Sequence, residues 1–110
     1  MLFKAYHAPM ILAGIKTQTR RRWKRPMVKV GGTYAAQTGF CKPETAFARI
    51  KVLRLWREPL GDISEEDSRS EGYENRELYL DAYCEINRLS RTHVDLGQVV
   101  TCIQFEVVKA

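Results

Sequence analysis

Acidic residues are missing from the first 43 positions of this 110-residue chain, which carry nine lysines and arginines and a local charge of +9. The remaining positions hold nine further bases and all 13 acids, a balance of −4. This division excludes an evenly mixed surface charge. It suits a polyanion near the N-terminal third, nucleic acid being the usual one. Mutual neutralisation of the two halves across the fold is the other arrangement compatible with it.

Long apolar runs are lacking as well. "APMILAG", the longest near the start, is closed by Lys16 and falls far short of the roughly 20 residues that span a membrane. With no small-residue cleavage site upstream, a secretory signal is not indicated, and a soluble, cytoplasmic protein is expected. Cysteine is sparse: Cys41, Cys84 and Cys102 are odd in number and form no C-x-x-C pair, and only His7 and His93 could join them as soft ligands. Neither a disulfide framework nor a zinc site is indicated. Cys102 reads as a buried, inert thiol, and the two histidines as ordinary structural or surface residues. What is present, 45% hydrophobic residues, is enough for one domain over 1–110.

The pattern along the chain is of short elements. "LFKAYHA" alternates as a first strand, followed by a helix of a turn or two with Pro9 at its start and Gly14 as its C-terminal cap. Regular structure should break at Pro26, and a strand is expected over Thr33 to Gln37 after the Gly31-Gly32 turn. "AFARIKVLRLW" is the clearest strand, closed by Pro59 and Gly61. Ser64 with Asp67 three residues later resembles a capping box opening the short helix "SEEDSRSEG", which Gly72 caps. Asn75 reads as the N-cap of the longest helix, "RELYLDAYCEINRL", with Leu78, Ala82, Ile86 and Leu89 recurring at helical spacing. "QVVTCIQFEVV" supplies a final strand rich in β-branched residues. Strands do not alternate regularly with crossover helices, so the expected class is α+β: a small mixed or antiparallel β-barrel decorated by two or three short helices.

One stretch concentrates the chemistry. "GIKTQTRRRWKR", Gly14 to Arg25, holds six bases and no acid. If the chain bends after Gly14, Lys16 and Thr19 can meet, whereas a flat strand would put them on opposite faces. Lysine accepts a proton only when neutral. Burial and the neighbouring Arg20, Arg21 and Arg22 would lower its pKa, while a nearby carboxylate would oppose them, and the sequence leaves the sign open. A neutral Lys16 would activate Thr19 or a water. The commoner reading of such a run is an exposed basic arm, in which Arg20, Arg21, Arg22 and Lys24 grip phosphates and Trp23 stacks on bases or anchors in the core.

The motifs "ILAGIKTQTRR", "VGGTYAAQTG" and "LGDISEEDSRSEGY", with the C-terminal helix and strand, resemble the ASCH domain, the activating-signal-cointegrator homology module of the PUA-like superfamily. The resemblance implies a PUA-like β-barrel with a cleft for RNA or nucleotide chemistry. Small members of the family are N(4)-acetylcytidine amidohydrolases with a Lys, Thr and Glu triad, which falls here on Lys16, Thr19 and Glu71. Glu71 would position and tune Lys16, Arg21 or a backbone N–H would face the oxyanion, and no metal or organic cofactor is expected for that reaction. The binding set is Arg20, Arg21, Arg22, Trp23, Lys24 and Gln37, and the partner a modified nucleoside or single-stranded RNA. The basic run resembles ASCH proteins of phage and prophage origin. Other family members imply two alternatives: a non-catalytic RNA or modified-base binder, and a ribonuclease.

Overall fold

The strand β4, Val99–Val107, explains the rest of the architecture. Val100 to Ile103 are buried without a break, which a strand achieves only when both of its faces are covered. Alternate residues go to different cores. Ile103 and Phe105 pack with Phe3, Ile11, Val28, Ala36, Ile50 and Val52. Val100 and Cys102 pack on the other face with Leu60, Ile63, Tyr79, Leu80, Tyr83 and Cys84. Burial pushes the Cys102 thiol up to about 12, as expected of an inert core cysteine.

The structure, a computed structural model, describes residues 1–109. Besides β4 its strands are β1 (Gln18–Arg21), β2 (Thr33–Gln37) and β3 (Ala46–Pro59), all antiparallel in the order β1-β4-β3-β2. The sheet curls into a half-barrel. An irregularity between Val52 and Arg54 contributes to that curl, since an extra residue in one strand bends it. Three short helices complete the α+β fold: α1 (Ala8–Leu12), α2 (Glu65–Ser70) and α3 (Arg76–Ile86). No helix among the described residues is long and apolar enough to cross a membrane.

The helix ends follow the sequence signals. The hydroxyl of Ser64 accepts a hydrogen bond from the Asp67 backbone N–H at 2.9 Å, and the Asn75 carboxamide accepts one from Leu78 N–H at 2.9 Å. Gly14 and Gly72 adopt positive φ, +75° and +103°, just beyond α1 and α2.

Three expectations are corrected. The first strand reduces to a single bridge of Leu2 with Gln37, because a 3-10 turn over Ala5–His7 runs directly into α1. The basic segment contains a strand, β1, that no apolar alternation announced: its pairing comes from β4, Thr19 lying opposite Ile103 and Arg20 opposite Cys102. Helix α3 buries Tyr79, Leu80, Tyr83 and Cys84, while Leu78 and Ile86 are exposed. The larger apolar area of the two tyrosines outweighs the aliphatic stripe beside them.

Candidate active-site cleft

Lys16 lies between Gly14 and β1, and its backbone is held from both sides. The N–H groups of Ile15 and Lys16 donate to Met10 O at 2.9 and 3.1 Å, and Thr17 bridges Ser70 O and the Phe105 N–H at 2.8 and 2.9 Å. Thr17 therefore stabilises the turn through its backbone. Glu71 is the residue on which α2 ends, and the positive φ of Gly72 turns the chain away immediately after it. Both side chains are buried, Lys16 at 3% exposure and Glu71 at 2%.

The Lys16 ammonium donates to Glu71 Oε1 and to the Glu71 carbonyl, each at 2.9 Å. The second carboxylate oxygen of Glu71 accepts from Arg20 Nη1, also at 2.9 Å. Arg20 reaches further, donating to Gln18 Oε1 at 2.9 Å, Asp67 Oδ2 at 3.2 Å and Glu58 Oε1 at 3.3 Å. Gln18 Nε2 in turn donates to Asp67 Oδ1 at 3.1 Å. Arg20 thus belongs to the interior: its side chain is fully buried against three carboxylates, and it is not part of an outer basic surround. Its Nε is buried without a partner.

Because Glu71 divides its charge between two cations, Lys16 has only part of a counter-ion. Its pKa falls below the ordinary 10.5: burial is the main cause, Glu71 opposes it, and the Arg21 and Arg20 charges reinforce it. The sign that the sequence left open is downward.

Thr19, also buried, points to the opposite face of β1 from Gln18 and Arg20. Its hydroxyl accepts from Arg21 Nε at 3.3 Å, so its own proton is free to go elsewhere. Neither Lys16 hydrogen bond goes to Thr19. The two residues nevertheless share one cleft, which takes in residues of β1, an edge strand of the sheet. Lys16, Thr19 and Glu71 all line it, and its volume is about 530 Å³.

The binding set divides. Arg20, Arg21, Arg22 and Trp23 line the cleft, whereas Lys24 and Gln37 do not. The Arg21 guanidinium lies 4.8 Å from the Phe3 ring, and Arg22 is exposed. Trp23 packs against the core around Phe3 while its carbonyl accepts from Thr101 Oγ1 at 3.1 Å, so it anchors as well as lines. Lys24 is exposed, and the Gln37 amide turns back to donate to Gly39 O at 3.0 Å.

Sequence reasoning missed His7 and Tyr73. His7 is 5% exposed and Tyr73 half-buried, both line the cleft, and His7 Nε2 lies 2.9 Å from the Tyr73 hydroxyl. Burial, with the Lys16 and Arg21 charges, lowers the His7 pKa to about 4. Tyr79, Tyr83 and Ile86 of α3, with Asn87 just after it, extend the wall. The only available signal was the "EGY" following α2, since no spacing pattern links position 7 to position 73. Among the described residues, no group of three His, Cys, Asp or Glu side chains is placed to hold a metal ion.

Solved structures with this architecture exist. The ASCH domain from Lactobacillus crispatus JV V101 superposes with a TM-score of 0.73 at 16% identity, over 97% of this chain and 76% of that one. An ASCH structure from Zymomonas mobilis gives 0.67 at 12% identity, over 99% and 68%. The fold is that of the ASCH domain. A DUF984 protein from Enterococcus faecalis V583 shares the ASCH fold too, at a TM-score of 0.71 and 16% identity over 94% of this chain and 67% of that one. No family model and no curated protein matches the sequence.

Proposed function

We propose that the chain is a member of the ASCH family and that its cleft hydrolyses the acetyl amide of N(4)-acetylcytidine or a related acylated nucleoside. The observation that carries this reading is the convergence of Lys16, Thr19 and Glu71 on one cleft, with the lysine buried and its pKa depressed. At about 530 Å³ the cleft falls within the roughly 300–1,000 Å³ of small-molecule sites.

In the proposed reaction neutral Lys16 takes the proton of Thr19, or of a water, as the oxygen attacks the acetyl carbon. The resulting ammonium returns the proton to N4 as the C–N bond breaks. If Thr19 is the nucleophile, water then cleaves its acetyl ester, and the net products are cytidine and acetate. Glu71 holds Lys16 in position, and Arg21 holds the Thr19 oxygen. No step requires a metal or an organic cofactor.

Incubation with N(4)-acetylcytidine, following cytidine release, tests the proposal. Turnover is expected for the wild type, with losses of about 10²-fold or more in Lys16→Ala and Thr19→Ala, the scale of a general base or nucleophile. Absence of wild-type turnover would remove the reading, and turnover surviving both substitutions would remove the roles assigned. The pH profile adds a signed expectation. Lys16 works unprotonated, so the rate rises with pH along a limb below 10.5. Glu71→Gln deletes the charge that raises the Lys16 pKa, so the limb of the residual activity moves to lower pH.

A second reading, binding of a modified base within single-stranded RNA without catalysis, is favoured by the exposure of Arg22, Lys24 and Arg25 beside the same cleft.

A further inference from the structure

Arg20 lines the cleft but takes no part in the proposed reaction. Its guanidinium is held at two ends. Nη1 donates to Glu71 Oε2 and to Gln18 Oε1, each at 2.9 Å, while Nη2 donates to Asp67 Oδ2 at 3.2 Å and to Glu58 Oε1 at 3.3 Å. The Trp56 ring lies 5.6 Å from its central carbon. A guanidinium is a rigid planar fork, so the partners on Nη2 also fix where Nη1 can reach. Arg20 therefore cannot turn away from Glu71 without giving up Asp67 and Glu58.

Lys16 and Arg20 bring two positive charges to this cluster, and Glu58, Asp67 and Glu71 bring three negative ones. Three carboxylates around a lysine would hold it protonated. They are not arranged in that way: both Lys16 hydrogen bonds go to Glu71, and of the two cations it is Arg20 that pairs with Asp67 and Glu58. The other titratable groups of the cleft supply no further counter-ion. His7 of the 3-10 turn titrates at about 4, because burial and then Lys16 and Arg21 oppose its charge, and is neutral at pH 7. Arg21 of β1 is a further cation, and burial raises the Tyr73 and Tyr79 phenols above their ordinary 10. Glu106 of β4 and Lys109, which share a second recess with Lys16, are exposed to water. Competition for Glu71 thus sets how much counter-ion Lys16 has.

We propose that Arg20 is a positioning residue: anchored on its far side by Asp67 and Glu58, it occupies one oxygen of Glu71 and so denies Lys16 the undivided counter-ion that would keep it protonated. An arginine suits this task because it stays charged at every working pH, so the competitor itself never titrates. The purpose of the arrangement, a lysine able to act as base, rests on the acyl-nucleoside reading above. The arrangement itself can be tested without substrate.

The measurement is the titration of the Lys16 side chain by NMR in protein carrying isotope-labelled lysine, its resonance assigned by its absence from Lys16→Ala. Arg20→Gln removes a cation and returns Glu71 to Lys16, so the Lys16 titration should move to higher pH by about one pH unit. An unmoved or lowered titration would overturn the proposal. A variant that merely loosened the cleft would also raise the titration, by letting water reach the ammonium, and a double-variant cycle separates the two causes. Acting through Glu71, Arg20→Gln should raise the titration in a Glu71→Gln background by about half as much or less. Equal increments in both backgrounds would mean that Arg20 acts without Glu71, and the proposal would fall.

Asp67→Asn supplies a result of opposite sign, at a side chain that keeps some contact with water and so tolerates change. It removes an anion from the far side of Arg20, whose charge then bears more fully on Glu71 and Lys16, and the titration should move to lower pH. Loosening cannot produce that direction. A titration unmoved or raised in Asp67→Asn overturns the proposal, and this arm decides alone should Arg20→Gln not fold. Turnover of N(4)-acetylcytidine keeps the hydrolase reading separate. If the titrations move as expected and the wild type shows no turnover, the role of Arg20 stands and the hydrolase reading falls. If turnover is present and the titrations do not move, the reverse holds.

Discussion

At the scale of the residue, the consecutive arginines Arg20, Arg21 and Arg22 have three different fates. Arg20 is buried among Glu58, Asp67 and Glu71, Arg21 lies over Phe3 with Thr19, and Arg22 faces solvent. The consequences for stability differ accordingly. Arg20→Met removes the guanidinium that three carboxylates share, leaving Glu71 only Lys16 and Asp67 only Gln18, and should cost about 3 kcal/mol, the low end for removing one partner from a buried ion cluster because Glu58 and Asp67 keep some access to water. Arg22→Ala removes an exposed side chain and should stay within about 0.5 kcal/mol. Urea denaturation of the two variants is the measurement. A loss at Arg20 no larger than at Arg22 would mean that the carboxylates find water when the arginine is gone. In sequence the three positions are indistinguishable, because the acids that capture Arg20 lie 38 to 51 positions further on.

At the scale of the element, α2 places the Glu71 carboxylate that holds Lys16. It is only six residues long, Glu65–Ser70, so its direction depends on its ends. Ser64 fixes the start, and Gly72 at φ +103° fixes the exit just after Glu71. A Cβ added at Gly72 would lie 2.8 Å from Met10 Sδ, in a backbone conformation that side chains rarely adopt. Gly72→Ala should therefore cost about 1 kcal/mol or more in stability, since both strain and crowding oppose it. Its effect on any Glu71-dependent activity should be larger than that of an equally destabilising change elsewhere. Thermal melting and kcat measured together on Gly72→Ala and on Asn75→Ala, which weakens only the α3 cap, make the comparison. Equal loss of activity per degree would show that α2 does not need this exit to aim Glu71.

The same helices show what a single sequence can reveal. Caps act within three or four residues, so Ser64, Gly72, Asn75 and Gly14 were legible. Strand β1 was not, because "QTRR" has no apolar alternation and is a strand only by virtue of β4, 80 to 86 positions away. The buried stripe of α3 was misread for a related reason: two overlapping stripes satisfy the helical period, and only the partner surface chooses between them. In the candidate site, Lys16, Thr19 and Glu71 were legible through motif resemblance. His7 was not, because its partner Tyr73 is local to nothing in its own segment.

At the scale of the whole molecule, the charge division is resolved in part by internal pairing. Lys16 and Arg20 from the basic third are neutralised by Glu58, Asp67 and Glu71 from the acidic remainder. What is left outward near the cleft is Lys4, Arg22, Lys24 and Arg25, all exposed. This residue of charge permits the two functional readings to be separated by salt. A nucleoside carries no phosphate, so its binding in the cleft should change little with ionic strength. A single strand of RNA crossing the rim would release counter-ions, with log K falling against log salt by about 0.7 per phosphate contacted. If the rim grips RNA, replacing Arg22, Lys24 and Arg25 together by Gln should lower that slope by about 2 while leaving nucleoside binding intact. A slope unchanged by the triple replacement would place any polynucleotide elsewhere on the surface. Nucleoside affinity as salt-sensitive as RNA affinity would mean that the cleft recognises charge, and the acyl-nucleoside reading would lose its electrostatic rationale.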